Sequence, residues 1–144
     1  MWGDVPARLT SLNADNMYSG REDRDVIYKQ LIIDLQEAQD LCAWPNEIDA
    51  TKTVERVNKV FVKGLLARVC LQASGYAQRL DGENRLSTDP ELSKARLYPI
   101  ALQACKDVME QEGTYVALKS NFEDIFNNNG ISGDVINAGS ESLF

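Results

Sequence analysis

The segment 55–77, ERVNKVFVKGLLARVCLQASGYA, constrains the fold of this chain more than any other stretch. Its apolar residues recur at steps of three and four, which predicts a helix. Gly64, Ala67 and Gly75 leave one side of that helix with little side chain, and each glycine costs about 1 kcal/mol of helix stability relative to alanine. Close approach by a neighbouring helix would offset that cost. We therefore expect this helix to pack against others.

The same periodicity predicts three helices, over residues 23–41, 57–77 and 97–112. Pro45 stops the first helix by disfavouring the helical conformation at the residue before it, and Gly113 suits the end of the third. The segment 78–96 is predicted to be a long polar loop, and NFEDIF (121–126) a short turn. No stretch alternates as a strand does, so the predicted fold class is all-α. The whole chain, 1–144, is predicted to form a single helical region.

The second and third predicted helices are similar in style to the helical hairpins of tetratricopeptide arrays. They carry small and aromatic residues where such hairpins pack, namely Ala67, Tyr76, Tyr98, Ala101 and Ala104. The long loop between them breaks the repeat of about 34 residues that defines those arrays. The pattern by itself therefore indicates a domain of helical hairpins with long polar loops.

Charge and hydropathy exclude two classes of partner. The formal net charge is −7 over 144 residues, which opposes the phosphate contacts that drive nucleic-acid binding, so we expect no nucleic-acid partner. No apolar run approaches the roughly 18 residues that would indicate a membrane span, so we expect no membrane insertion by this chain.

The sequence contains no histidine, which removes serine–histidine–aspartate triads, HExxH metalloprotease sites and histidine zinc sites. We therefore expect neither an enzyme nor a metal or other cofactor. Glu22, Asp23 and Asp25 fit a helix start, where the helix dipole favours acidic residues. The basic residues Arg56, Lys59 and Lys63 follow helical steps and are typical of a solvated face, with a docking patch as the alternative.

Three cysteines, Cys42, Cys70 and Cys105, lie far apart in the sequence and form no CxxC motif. Their odd number forbids a complete internal set of disulfides. Each falls within or at the end of a predicted helix, where free cysteine usually behaves as a small apolar residue. We therefore expect three reduced, buried thiols that react slowly.

One charged pair follows from the helical pattern. Asp34 lies at the edge of the apolar stripe of the first helix, and Arg68 lies between Ala67 and Val69 on the second. Both side chains are expected to be half-buried and to require a partner. The sequence therefore predicts that Asp34 and Arg68 meet, or that each meets a close substitute.

Aromatic residues in loops are the sequence's only candidates for sugar contact. Trp2, Tyr18 and Trp44 lie in predicted loops, and an apolar ring face can stack on the CH face of a pyranose. For Trp44, beside Pro45, a cap over the end of the first helix is the commoner role, because aromatic rings are buried more often than they bind ligands.

A succession of motifs along the chain resembles the SusD/RagB family of outer-membrane nutrient-binding lipoproteins of Bacteroidota. Two departures stand in the second helix: Cys70 replaces a usual tyrosine, and Val60, Phe61 and Gly64 replace an alanine-rich start. The resemblance covers nearly the whole chain. Its residues are Gly3 to Pro6, Arg21, Ile27-Tyr28 to Asp34-Leu35 with Ala38, Pro45, Arg56 with Lys59, Leu65 to Leu71, Tyr98 to Leu102, Gly113 to Leu118 and Glu141 to Phe144.

The resemblance implies a non-enzymatic protein that is lipid-anchored in the outer membrane and faces the cell surface. Such proteins capture oligosaccharides or other nutrients and hand them to a SusC-like TonB-dependent transporter. Family members are several hundred residues long, so the resemblance implies that this chain is an inner part, without the anchor, comprising tetratricopeptide-like scaffold helices. It implies that most of the glycan platform lies outside the chain. The alternative hypothesis is a free-standing helical-repeat adaptor that binds a peptide or protein in a groove.

Overall fold

The helices in the described part of the chain begin at side chains that cap them. In the computed structural model, which describes residues 4–53 and 56–123, Asp23, Asn58 and Ser93 each accept a hydrogen bond from a backbone N–H of the first turn that follows. The helices that these residues start are α1 (Arg24–Leu41), α2 (Lys59–Ala73) and α3 (Lys94–Met109).

Short elements occupy the connections. A 3-10 turn, Asp49–Thr51, lies between α1 and α2, and a second one, Pro90–Leu92, precedes α3. Strands β1 (Ala77–Gln78) and β2 (Asn84–Arg85) pair antiparallel, with Ala77 opposite Arg85. The described chain is thus mostly helical, compatible with an all-α class. Within residues 4–53 and 56–123, no helix has both the length and the apolar character that crossing a membrane requires.

The sequence located α1 to within one residue, but it misplaced the ends of the other two helices. Helix α2 ends at Ala73 rather than at residue 77, because the chain turns at Ser74 and Gly75 and then pairs in the hairpin. Helix α3 begins at Lys94 rather than at residue 97, because Ser93 provides the cap. It also ends earlier, at Met109, and the chain then turns through Gly113 at a positive φ of 80°.

The NFEDIF turn was predicted over residues 121–126. The structure describes Asn121 to Glu123 of it, and the remainder lies outside the described residues.

Helix α2 lies antiparallel to both α1 and α3 and packs on each of them. Lys63, in the first turns of α2, bonds Gln39 near the end of α1 and Asp107 near the end of α3. One end of the bundle therefore carries the end of α1, the start of α2 and the end of α3. The hairpin and the start of α1 lie at the other end.

The predicted close packing of small side chains is present where α2 crosses α3. Ala67, Ala101 and Ala104 are all buried there. The prediction is wrong for the two aromatic packing positions, because Tyr76 and Tyr98 are 69% and 46% exposed. Gly64, in contrast, is exposed and Gly75 is partly exposed, so alanines rather than glycines form the crossing. The buried cluster also contains larger side chains from all three helices and the second 3-10 turn: Ile32, Leu66, Cys70, Leu92 and Leu97.

We predict that Ala104→Leu lowers the free energy of unfolding by about 1–3 kcal/mol, because the added methylenes must force apart two closely packed helices. Ala95→Leu, at an exposed position of the same helix, is the matched control and should change stability by less than about 0.5 kcal/mol. Urea unfolding followed by circular dichroism measures both. Equal effects would show that α2 and α3 do not approach closely at Ala104.

The three cysteines are free thiols with different surroundings, which corrects the expectation that all are buried. Cys70 is buried, Cys42 is partly exposed and Cys105 is exposed. Burial raises the pKa of the Cys70 thiol to about 11, because the thiolate is poorly solvated in the core. Cys105 lies on the outer side of α3, since its neighbour Ala104 occupies the buried side.

We predict that a thiol reagent labels Cys105 rapidly in native buffer and Cys70 only after denaturation, since reactivity follows exposure and thiolate fraction. Cys105→Ser should remove the fast phase, as measured by the absorbance of the released thiolate product. A fast phase that survives in Cys105→Ser and disappears in Cys70→Ser would contradict the structure.

Candidate functional site

A polar cleft lies at the end of the bundle where α1 and α3 finish and α2 begins. Its volume is about 240 Å³. Side chains from all three helices and from the loop after α1 line it: Gln39, Asp40, Trp44, Lys59, Lys63, Asp107, Glu110 and Gln111.

Lys63 is the buried cation of this cleft. Its position three residues after Val60 and three before Leu66 places it on the buried side of α2. Its Nζ lies 2.6 Å from Asp107 Oδ2 and 3.1 Å from Gln39 Oε1. The apolar stem can thus pack in the core while the amine reaches polar partners. Lys63 was predicted to lie on a solvated face, and that prediction is wrong.

Asp107 is held as a carboxylate by its neighbours. The hydrogen bond from Lys63 lowers the pKa of Asp107, while desolvation acts in the opposite direction. Gln103 Nε2 donates to the other carboxylate oxygen at 2.6 Å. Both oxygens of Asp107 therefore accept hydrogen bonds from within the chain, and the ion pair links α2 to α3.

Trp44 forms an aromatic wall of the cleft. Its ring stacks on Tyr115, with centroids 5.7 Å apart and planes 2° from parallel, and Lys59 Nζ lies 5.5 Å from the Trp44 ring centroid. The Trp44 carbonyl accepts a hydrogen bond from Thr51 Oγ1 at 2.8 Å, and the adjacent Pro45 is buried. The indole is therefore fixed by its own chain, and Tyr115 occupies part of the ring surface that a sugar would need.

The chemistry of the cleft is that of polar recognition. Two amines, three carboxylates and two amides face it beside the indole, a set that can donate and accept hydrogen bonds to a neutral polar ligand. Throughout the described ranges, no three or more Cys, Asp or Glu side chains are grouped so that they could hold a metal ion.

A second polar cluster lies at the opposite end of the bundle and attaches the hairpin to α1. Arg79 Nη1 lies 3.1 Å from Asp23 Oδ1 and 2.6 Å from Asp25 Oδ1. Ser87 Oγ donates to the second oxygen of Asp25. Asp23 and Asp25 thus lie at the start of α1, as predicted. They also bind the buried guanidinium of Arg79, which was not predicted.

An apolar groove runs between the outer sides of α2 and α3, and we call it the α2–α3 groove. Its volume is about 500 Å³. Two of its leucines are more than half exposed, Leu71 at 53% and Leu102 at 57%. The groove is lined by Leu71, Tyr98, Pro99, Ala101, Leu102 and Cys105.

The structure does not bring the predicted pair Asp34 and Arg68 together. Both residues are exposed rather than half-buried, and Asp34 Oδ1 accepts a hydrogen bond from Gln30 Nε2 on the preceding turn. The salt bridges among the described residues do not include this pair. The reason is geometric, because Lys63 rather than Arg68 occupies the buried side of α2.

The candidate aromatic residues do not form one site. Trp2 lies outside the described residues, and Tyr18 is 90% exposed in the N-terminal loop. Trp44 lines the polar cleft, where Tyr115, which was not predicted to be part of a site, stacks on it.

The sequence contained a signal for the missed residue Lys63, since helical steps from Val60 and Leu66 place it within an apolar stripe.

A scan against protein-family models, a search of curated proteins and a search of solved structures each returned no match for this chain.

We predict that Asp107→Asn destabilises the fold by about 1–3 kcal/mol at neutral pH, because it leaves the Lys63 amine buried without a counter-charge. The folded-state pKa of Asp107 lies below its unfolded value, so the stabilisation is present above the unfolded pKa and is lost as pH falls through the folded one.

The difference in the free energy of unfolding between the native protein and Asp107→Asn should therefore become smaller as acid protonates Asp107. Urea unfolding between neutral pH and about pH 3 measures it. Asp40→Asn, which alters an exposed carboxylate of the same cleft, is the control and should leave stability at neutral pH nearly unchanged. A constant difference across that pH range would refute the role of the Asp107 charge.

Proposed function

We propose that this chain is the helical scaffold region of a cell-surface nutrient-binding lipoprotein similar to SusD/RagB proteins. In this proposal the longer protein is lipid-anchored in the outer membrane. It binds oligosaccharides or other nutrients without transforming them and passes them to a SusC-like TonB-dependent transporter. The described helices support the fold and the transporter contact.

The observation that carries this proposal is that several of the residues on which the resemblance rests make contacts within the chain. Asp4, within the Gly-Asp-Val-Pro motif, is buried and accepts hydrogen bonds from both the backbone and the Nε of Arg24 at 3.1 Å. Pro45 is buried, and Tyr115 of the Gly-x-Tyr-x-Leu motif stacks on Trp44. Residues that hold the chain to itself support a scaffold role for this region.

The arrangement of the helices supports the tetratricopeptide-like part of the proposal. Antiparallel helices joined by local connections pack through small side chains, as in the α2–α3 crossing at Ala67 and Ala104. The apolar α2–α3 groove provides a surface on which a further scaffold helix can pack, because stacked hairpins bury a continuous core. The hairpin and 3-10 turn between α2 and α3 lengthen that connection relative to the repeat.

The alternative, a free-standing helical-repeat adaptor, is favoured by the same groove, which can hold a peptide instead of a scaffold helix. The two hypotheses differ in what surrounds the chain. A lipoprotein signal ending in a cysteine upstream of residue 1, and a long downstream part, belong only to the nutrient-binding protein. The genomic reading frame decides between them directly.

We predict that the 144-residue chain gives a strongly helical circular dichroism spectrum and does not bind oligosaccharides that the longer protein binds. Calorimetric titration of both proteins with one glycan panel measures this. In the longer protein, Trp44→Ala should lower stability through loss of the Tyr115 stack and leave glycan affinity within about twofold.

Equal glycan affinity of the 144-residue chain and the longer protein would place the binding surface on this chain and overturn its scaffold assignment. A reading frame without a lipoprotein signal or a downstream part would instead favour the adaptor.

A further inference from the structure

The charges around the α2–α3 groove differ from those of the chain as a whole. The protein carries a formal net charge of −7, yet exposed basic residues lie along the groove on both helices. Arg68 precedes Leu71 by one turn on α2, and Lys106 follows Leu102 by one turn on α3. Lys94 lies one turn before Tyr98. The acidic residues that follow Lys106 on this part of the chain face the polar cleft instead: Asp107 pairs with Lys63, and Glu110 lines the cleft.

The apolar floor of the groove has the dimensions of a helix-binding surface. Tyr98, Leu102 and Cys105 follow helical steps of four and three along the outer side of α3, and all are exposed. They span about 10 Å of helix axis, or about two turns, and exposed Met109 continues the same steps beyond the groove. Leu71 of α2 forms the facing wall. Arg68 and Lys106 are exposed on the two helices that border the groove.

We propose that the α2–α3 groove binds an amphipathic helix whose apolar stripe is flanked by acidic side chains. The apolar stripe would cover Leu71, Tyr98 and Leu102, and carboxylates on its two edges would pair with Arg68 and Lys106. This inference uses only the surface of α2 and α3, and it commits to one occupant, an acidic amphipathic helix of a partner polypeptide, in place of the further scaffold helix considered above.

A second copy of this chain is a poorer occupant than an acidic helix. A two-fold groove-to-groove contact would place Arg68 and Lys106 of one copy against the same basic residues of the other. Like charges brought together at such an interface oppose association. Charge complementarity therefore selects an acidic partner.

Cys105 provides a local readout of binding, since it is an exposed thiol that lines the groove. The probe is a synthetic amphipathic peptide of about 18 residues with leucines along one face and glutamates on both edges. The control peptide has lysines in place of the glutamates. We expect the glutamate peptide to slow labelling of Cys105 but not of Cys42, with an affinity at least about tenfold higher than that of the lysine peptide at low salt.

Two variants test the floor and the edges of the groove separately. Leu102→Glu should weaken binding of the glutamate peptide at least about tenfold, because it removes apolar contact and adds a repelling charge. The double variant Arg68→Glu, Lys106→Glu should reverse the preference in favour of the lysine peptide. Ile33→Glu is the matched control, since Ile33 is an apolar residue on α1 that is 49% exposed, and it should have no effect.

Four outcomes would overturn the proposal. The two peptides could protect Cys105 equally, or neither could protect it. Ile33→Glu could weaken binding as much as Leu102→Glu does. Finally, Cys105 could become protected as protein concentration rises without peptide, in parallel with dimer formation in analytical ultracentrifugation, which would identify a second copy as the occupant.

Discussion

The amine of Lys63 is the contact on which the arrangement of the three helices depends. It extends from the buried side of α2 and reaches Gln39 of α1 and Asp107 of α3 within hydrogen-bond distance. A buried amine is destabilising unless it is paired. Any sliding of α1 or α3 that breaks these bonds therefore lowers the stability of the bundle. Apolar contacts provide most of the driving force for packing, but they are tolerant of sliding. The directional bonds of Lys63 select one register among the packed arrangements.

A second buried cation paired to carboxylates lies at the opposite end of the bundle. There, Arg79 comes from the hairpin that follows α2, and its partners Asp23 and Asp25 come from the start of α1. Each end thus carries one buried cation paired to carboxylates from a neighbouring helix. The apolar cluster and its small-residue crossing lie between them. Polar pairs at both ends and an apolar centre together fix the position and tilt of α2 against its neighbours.

Much of this helical framework is readable from the sequence, because periodicity and caps are local signals. Helix α1 and the burial of Ala67, Ala101 and Ala104 follow from such patterns. The end of α2 does not, because the chain turns there into a hairpin held by tertiary contacts. The start of α3 is set by the Ser93 cap, a local signal that the prediction overlooked. Lys63 was misread because its charge was given more weight than its place in an apolar stripe. Arg68, which is exposed next to the buried Ala67, was assigned the pairing role that Lys63 performs.

The distribution of these contacts bears on where function lies. Polar and aromatic residues of the sequence motifs are turned inward, as with Asp4 on Arg24 and Trp44 on Tyr115. Large apolar residues at the ends of two of these motifs, Leu71 and Leu102, are turned outward instead. Exposed apolar surface of this extent is typical of an interface. The exposed basic residues beside it would favour an acidic partner. The α2–α3 groove is therefore the described surface on which we propose that a partner helix packs.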